Sequence, residues 1–127
     1  DVYKRQAILQ SAAIIITGSA DGSETGALDV VITSDATTLT DSSGDLASNT
    51  ALNTATNASA VFDGTAGMFA ISNAIDMGIV SVGSKANIGI VCKAASGTRS
   101  LYAFGIARST NDYEEGSAVL RLGFVKD

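Results

Sequence analysis

The sequence contains no histidine, no proline and no tryptophan, and it has one cysteine, Cys92. Without histidine the usual general base, the commonest metal ligand and every histidine-dependent triad are missing. A single cysteine cannot form an intramolecular disulfide or supply the ligands of a zinc or iron–sulfur site. The glycines also form neither a phosphate-binding loop followed by Lys-Ser/Thr nor a GxGxxG turn. We therefore expect no catalytic site and no cofactor.

Long apolar runs are also missing. The longest covers residues 12–16, far short of the roughly 20 residues that a membrane-spanning helix needs. We therefore expect no membrane association. The absence of proline means that turns must be built from Gly, Asn, Asp and Ser, and that no proline protects the edge strands of a sheet.

The residues that are present suit a small β domain. Apolar residues make up 46% of the 127 residues, enough to form one hydrophobic core. Ala, Val and Ile dominate this apolar content, and aromatic residues contribute only 6%. Small and β-branched residues, together with abundant Gly, Ser and Thr, favour strands and turns over helices.

Apolar residues alternate with polar or small residues along most of the chain. The alternating segments are residues 8–16, 28–33, 68–71, 75–79, 87–93, 101–106 and 119–125. Repeated alternation of this kind predicts half-buried antiparallel strands. We predict one all-β domain over residues 7–127, an antiparallel β-sandwich of about seven or eight strands with a jelly-roll-like or immunoglobulin-like arrangement.

The phase of each alternation predicts which side chains face the core. Ile8, Ala12, Ile14 and Ile16 share one face of the first strand, and Cys92 is in step with Ile88 and Ile90. Because a buried cysteine behaves as a small inert hydrophobe, we expect Cys92 to belong to the core and to be unreactive.

Several strands have no charged or bulky residue on their second face, and such a face can lie against another subunit. We predict that Tyr102, Phe104 and Ile106 fill a core layer, so that the other face of their strand is free for contacts. We also expect the apolar segment 7–17 to pair with the sheet edge of a neighbouring copy. The predicted interface residues are Ile14, Ile16, Leu101, Val119 and Val125. We therefore expect a homo-oligomer, either a trimer or a polymer.

Residues 35–63 depart from the alternation and are rich in Thr, Ser, Asn and Ala. We predict a long loop with one or two short strands, or alternatively a weak helix around residues 46–52, which the many Thr and Asn residues disfavour. Long loops are often functional, so we expect variable surface or partner contacts here. Asp35, Asp41 and Asp45 resemble a calcium-binding turn in composition but lack the spacing of an EF-hand loop. They are weak calcium candidates, and we predict no other metal ligands.

Charge is unevenly distributed along the chain. Residues 7–84 contain eight acidic residues and no Lys or Arg, whereas residues 85–127 contain six basic and four acidic residues. An acidic chain without a basic cluster is a poor binder of nucleic acid, so we expect no nucleic-acid partner. Opposite charges on two parts of the surface would favour head-to-tail assembly. The alternative is that the folded sheets mix these charges in space.

The first six residues, DVYKRQ, back-translate to GATGTGTATAAGAGACAG. That sequence resembles a transposase adapter used to prepare sequencing libraries. The resemblance implies that residues 1–6 are a translated adapter and that the sequence comes from an environmental metagenome. The alternative is a genuine N-terminus. We exclude these residues from reasoning about the fold.

The short strands, the Ser/Thr/Ala-rich loops and the alternating last strand together resemble small virion proteins of tailed phages. The segments LDVVITSD and SLYAFGIARSTNDYEEGSAVLRLGFV carry this resemblance best. It implies a capsid decoration (cement) protein or a tail-fibre subunit, located in the virion, that contacts a major capsid or other virion protein. The alternatives are a subunit of an extracellular or cell-surface filament assembled by strand exchange, and a small carbohydrate- or ligand-binding module.

The adapter hypothesis predicts that the protein isolated from its natural source lacks residues 1–6. N-terminal peptide mass spectrometry on native material should therefore recover no peptide that contains DVYKRQ. Recovery of that peptide would show that the segment is translated as part of the protein.

Overall fold

The computed structural model describes residues 6–17, 27–35, 38–46, 50–72, 74–78, 80–108 and 118–126. Within these ranges the strands are β1 (Gln6–Thr17), β2 (Leu28–Thr33), β3 (Thr40–Asp41), β4 (Gly44–Asp45), β5 (Thr65–Ile71), β6 (Ile75–Asp76), β7 (Val80–Lys93), β8 (Tyr102–Ala107) and β9 (Ala118–Val125). A 3-10 turn (Leu52–Thr54) and the short helix α1 (Ala58–Phe62) lie between β4 and β5. The all-β prediction is confirmed.

The strands form two larger antiparallel sheets and one small hairpin. Sheet 1 has the order β6-β7-β1-β9, sheet 2 has the order β5-β2-β8, and β3 pairs with β4. The chain passes between sheet 1 and sheet 2 four times: between β1 and β2, β5 and β6, β7 and β8, and β8 and β9. Strand β1 is therefore an inner strand of its own sheet, hydrogen-bonded on both sides.

One hydrophobic core draws side chains from both sheets. Its buried members come from β1, β2, β5 and β7 and from the segment that follows β5: Leu9, Ala12, Ile14, Ile16, Val30, Ile32, Phe69, Ile71, Ala74 and Cys92. The two inner faces are closely packed, since a methyl group added at Gly67 would lie 2.9 Å from the Ile90 side chain. The apolar residues of each alternation thus lie on the inner face of their sheet, and the inner faces of the two sheets pack against each other.

A β-bulge in β1 changes which residues face this core. The register of β1 shifts between Leu9 and Ser11 against both β7 and β9. As a result Leu9 is fully buried, whereas Ile8 is 38% exposed. The prediction that Ile8 shares the core face with Ala12 is wrong, because an extra residue in a strand reverses the alternation beyond it.

The alternation in β8 is also opposite to the prediction. Phe104 pairs with Val31, and Ala103 pairs with the core residue Ile32. Paired residues lie on the same side of a sheet, so Tyr102, Phe104 and Ile106 lie on the outer face of sheet 2. The core face of β8 carries small residues instead, which leaves room for the side chains of β2.

The outer face of sheet 2 is covered in part by the segment between β4 and β5. Val61 of α1 is fully buried, and the ring of Phe62 contacts Phe104 edge to face with centroids 5.6 Å apart. The Ser34 amide donates a hydrogen bond to the Gly64 carbonyl (3.0 Å) and anchors the end of this segment. Of the two alternatives for residues 35–63, the described part follows the loop with short strands, and its helix lies at 58–62 rather than 46–52.

Cys92 is fully buried in the core, as the phase of its strand predicts. Burial raises the pKa of its thiol, although the Leu9 backbone acts in the opposite direction. A thiol whose pKa is raised has little thiolate near neutral pH, which fits an unreactive side chain. Gln6, which we assigned to the adapter, begins β1 and pairs with Lys93, whereas residues 1–5 lie outside the described residues.

The close approach of the two sheets predicts opposite effects of alanine at two glycines. A methyl group at Gly83 would lie 2.7 Å from Cγ2 of Ile71, whereas one at Gly105 would lie 3.5 Å from Cδ1 of Leu28. We expect Gly83→Ala to lower the free energy of unfolding by about 1–3 kcal/mol through overpacking. Gly105→Ala, the matched control, should leave it unchanged or raise it by about 0.5–1 kcal/mol. Chemical denaturation measures both, and equal stability of the two variants would contradict the described sheet packing.

Candidate functional site

The outer face of sheet 1 carries two rows of aliphatic side chains. Strand pairing aligns Ile75, Val82, Ile15 and Val119 in one row, and Val91, Ile8 and Val125 in the other. We call these seven residues the aliphatic face. Each row crosses the sheet at right angles to the strands, so side chains from three or four strands contribute to one continuous surface.

The two aliphatic rows are separated by two rows of three residues each, all small except Arg121. These rows are Ser84–Ala13–Arg121 and Ala86–Ser11–Gly123. The surface therefore has two ridges with a shallow valley between them, and Arg121 lies at one side of the valley. Ridges and valleys of this kind allow two sheets to pack closely.

The aliphatic face is exposed to solvent. Val91, Val119 and Val125 are 58%, 47% and 54% exposed, and Ile75 is 72% exposed. The solvent side of an antiparallel sheet normally carries polar residues. A contiguous exposed apolar patch on a soluble domain is the usual mark of a protein interaction site.

The predicted interface residues fall into two groups. Val119 and Val125 belong to the aliphatic face, but Ile14 and Ile16 are 4% exposed and form part of the core. The assignment of Ile14 and Ile16 to an interface is corrected, because β1 lies between β7 and β9 and turns these side chains inward. Leu101 is half-buried: it packs against the core and lines the cavity between β8 and β9 rather than the outer face of a sheet.

A cavity of about 330 Å³ lies where the two sheets separate, between the edge strands β8 and β9. It is lined by Ala7, Ile32, Arg99, Leu101, Tyr102, Ala103, Leu122 and Phe124. Arg99 is the one charged residue of this lining. Tyr102 and Phe124 remain 38% and 41% exposed, so the cavity opens to solvent. Sequence reasoning missed this feature, because a gap between two sheet edges leaves no mark in the alternation.

The weak calcium candidates are not assembled into a site. Asp41 and Asp45 lie on the β3–β4 hairpin, and Oδ1 of Asp41 accepts a hydrogen bond from the Ser43 amide (2.7 Å), as expected of a turn-forming aspartate. Asp35, Asp41 and Asp45 are all among the described residues. Within those residues, no three acidic or cysteine side chains lie close enough together to hold a metal ion.

Asp29 is the one carboxylate whose side chain is largely buried in a described strand. It lies in β2 and is paired with Arg108, which follows β8 and whose amide also donates a hydrogen bond to the Ala27 carbonyl (2.9 Å). The Asp29 side chain is 9% exposed and that of Arg108 is 62% exposed. This ion pair joins the end of β8 to the start of β2, and we assign it a structural role.

The chain matches no protein-family model, and neither the curated proteins nor the solved structures contain a significant match. None of the helices in the described ranges has the length and hydrophobicity to cross a bilayer.

The Asp29–Arg108 pair predicts a specific pattern of stability. Arg108→Met should lower the free energy of unfolding by about 1–3 kcal/mol, because the buried carboxylate loses its charged partner. Asp29→Asn combined with Arg108→Met should recover part of this loss, because the neutral amide needs no counter-charge. Denaturant titration of the two variants measures both effects. If the single and double variants were equally destabilised, the lost contacts of Arg108 rather than the unpaired charge would be responsible.

Proposed function

We propose that this protein is a structural subunit that assembles with copies of itself, and that it serves as a capsid decoration protein in the virion of a tailed phage. The observation that carries the proposal is the exposed aliphatic face on the outer side of sheet 1. Covering a face of this kind removes apolar surface from water, which is favourable, and a second copy of the chain provides a surface of the same ridged shape.

The size of the face is consistent with a specific contact. Three strands spaced about 4.8 Å apart, over about eight residues of about 3.3 Å each, present a flat area of roughly 400 Å². The relief of the side chains and Ile75 of the short strand β6 add to this area. A standard protein interface buries about 800 Å² on each partner. The aliphatic face therefore supplies about half of one interface of ordinary size.

The virion part of the proposal is supported by the resemblance of the sequence to phage decoration proteins. Such a protein works by covering and joining other subunits, so buried sheet faces matter more than reactive groups. In this role the assembled copies would also contact a major capsid protein. The helix α1 contacts the outer face of sheet 2 through Phe62 and Phe104, so it lies on the other sheet from the aliphatic face.

A ligand-binding module is the second candidate, because the cavity between β8 and β9 has the size of a small-molecule pocket. Arg99 is the one charged residue of its lining. A filament assembled by exchange of β1 has less support, since β1 is already paired on both sides within its own sheet.

Self-assembly through the aliphatic face predicts that the protein forms a trimer or polymer at micromolar concentration. Val91→Lys together with Val119→Lys should convert it to a monomer, because each charge would have to be buried unpaired in the contact. Met68→Lys is the matched control, since Met68 is 58% exposed on the outer face of sheet 2 and should be neutral. Light scattering coupled to size exclusion gives the mass of each species.

A monomeric wild-type protein at that concentration would remove the support for the proposal. The virion role has its own test in density-gradient fractions of the source material. Peptides of this chain should sediment with intact virus particles. If they sediment with cells instead, the cell-surface filament would replace the decoration protein as the proposed function.

A further inference from the structure

We propose that two copies of the chain pair through the edge strand β9, antiparallel to each other and with Leu122 opposite its own counterpart, so that sheet 1 continues across both copies as one eight-stranded sheet. The inference rests on the proposed function, because it assumes that the chain assembles with itself. It deepens that function by identifying a second contact, the register of its strands and the symmetry of the assembly.

Strand β9 has an open edge. It is hydrogen-bonded to β1 on one side, and among the described residues no strand pairs with its other side. Its eight residues make it the longest edge strand of the two larger sheets, since β5, β6 and β8 have seven, two and six. The bulge beside it adds the extra residue to β1, so β9 itself continues without interruption. A long regular edge presents a row of unpaired amides and carbonyls to another strand.

Nothing within β9 protects this edge. Natural edge strands are protected by proline, by short length, or by lysine and other charged side chains. The chain has no proline, and the one charged residue of β9 is Arg121. Arg121 lies on the outer side of the sheet with Val119 and Val125, so the inner side of the strand carries no charge. The edge is therefore suited to the addition of another strand.

One register matches the two copies. When Leu122 lies opposite its counterpart, Val119 lies opposite the partner's Val125. Both rows of the aliphatic face then continue from one copy into the next. Arg121 lies opposite the partner's Gly123, which has no side chain, so neither arginine is directly opposite a like charge.

The neighbouring registers lose this match. Centring the pair on Arg121 would place two guanidinium groups directly opposite each other, which is unfavourable. Centring it on Gly123 would pair only residues 121–125 instead of 119–125, and Val119 would have no partner within β9. A shift of one residue would set the outer face of one copy beside the inner face of the other.

The same register covers apolar side chains on the inner side of the strand. Phe124 pairs with the core residue Leu9 and so lies on the inner face, yet it lines the cavity and remains 41% exposed. Leu120 is half-buried against the core. In the pair, Phe124 lies opposite the partner's Leu120, with Cβ atoms about 5 Å apart. This contact occurs twice and removes apolar surface from water.

Pairing also supplies the area that the aliphatic face lacks by itself. One copy presents a flat area of roughly 400 Å², whereas a standard interface buries about 800 Å² on each partner. Two copies joined edge to edge present their faces side by side on one sheet, which about doubles the continuous surface. Val119 and Val125 keep their outward orientation in the pair and remain part of that surface. The edge contact thus builds a face of ordinary interface size, which a second pair covers.

The two contacts together restrict the symmetry of the assembly. The edge contact is isologous, because both copies contribute the same residues about a two-fold axis. Two pairs stacked through their aliphatic faces form a tetramer, and any larger assembly also consists of whole pairs. The inference therefore narrows the trimer or polymer of the proposed function to an even number of copies. Val119 takes part in both contacts, so the Val91→Lys/Val119→Lys variant is still expected to be a monomer.

Cysteine cross-linking tests the register. Val119→Cys and Val125→Cys are made as two separate proteins in the Val91→Lys background, which weakens the stacking of the aliphatic faces. Each new cysteine would lie about 20 Å from the same cysteine of its partner, because six residues of about 3.3 Å separate the two positions along the strand. A short bifunctional thiol reagent should therefore join neither protein to itself, but should join the two in an equimolar mixture. Both valines are about half exposed and Cys92 is buried, so the fold is kept and the native thiol does not compete.

A lysine on the inner side of the edge tests the contact independently. In the same Val91→Lys background the protein should be a dimer, and Phe124→Lys should weaken this dimer at least about tenfold, because the charge would be buried opposite the partner's Leu120. Tyr102→Lys is the matched control: Tyr102 lines the same cavity and is 38% exposed, but it belongs to β8 and should leave the dimer unchanged. Sedimentation velocity over a concentration series measures the affinities, and circular dichroism confirms that each variant is folded.

The outcomes separate this inference from the proposed function. If the wild type assembles but the cysteine mixture is not cross-linked, or if either variant is joined to itself, the edge pair is wrong and the structural-subunit proposal stands. A trimeric wild type leads to the same conclusion, as does a Phe124→Lys dimer that is as stable as the Tyr102→Lys dimer. A monomeric wild type would overturn the inference together with the proposed function.

Discussion

The central position of β1 is the constraint on which the rest of the structure depends. β1 is hydrogen-bonded to β7 and to β9, and its inner side chains Leu9, Ile14 and Ile16 enter the core shared with sheet 2. A strand in this position cannot turn both faces inward. Its outer side chains, Ile8 and Ile15, therefore lie in the middle of the aliphatic face, and the same strand that organises the core creates the surface proposed for assembly.

The two sheets of the fold are not equivalent. The outer face of sheet 2 is covered in part by α1, through Val61 and the contact between Phe62 and Phe104. Sheet 1 has no such cover within the described residues. The sheets also separate at β8 and β9, where the cavity forms. Both the aliphatic face and the cavity thus occur where the described residues do not complete the packing of the two sheets.

Much of the fold follows from the sequence, because alternation with a period of two specifies strands whatever their arrangement. The alternation identified the all-β class and the burial of Cys92. It did not determine which face of β8 is inward, since Leu101, Ala103 and Gly105 alternate as regularly as Tyr102, Phe104 and Ile106. The bulge at Leu9 and Ser11 and the buried positions of Ile14 and Ile16 depend on strand partners that are distant in the sequence. The cavity is likewise a property of how the sheets diverge.

The two methionines of the chain offer the most direct measurement of the central claim, that assembly covers the outer side of sheet 1. Met77 follows β6 beside the aliphatic face, whereas Met68 lies on the outer face of sheet 2, and both are more than half exposed in the isolated chain. Exposed methionines are readily oxidised to the sulfoxide. Peptide mass spectrometry after brief peroxide treatment, across a dilution series, should show Met77 protected at assembling concentrations and Met68 oxidised throughout. Equal oxidation of the two at every concentration, in a sample that light scattering shows to be assembled, would contradict the account.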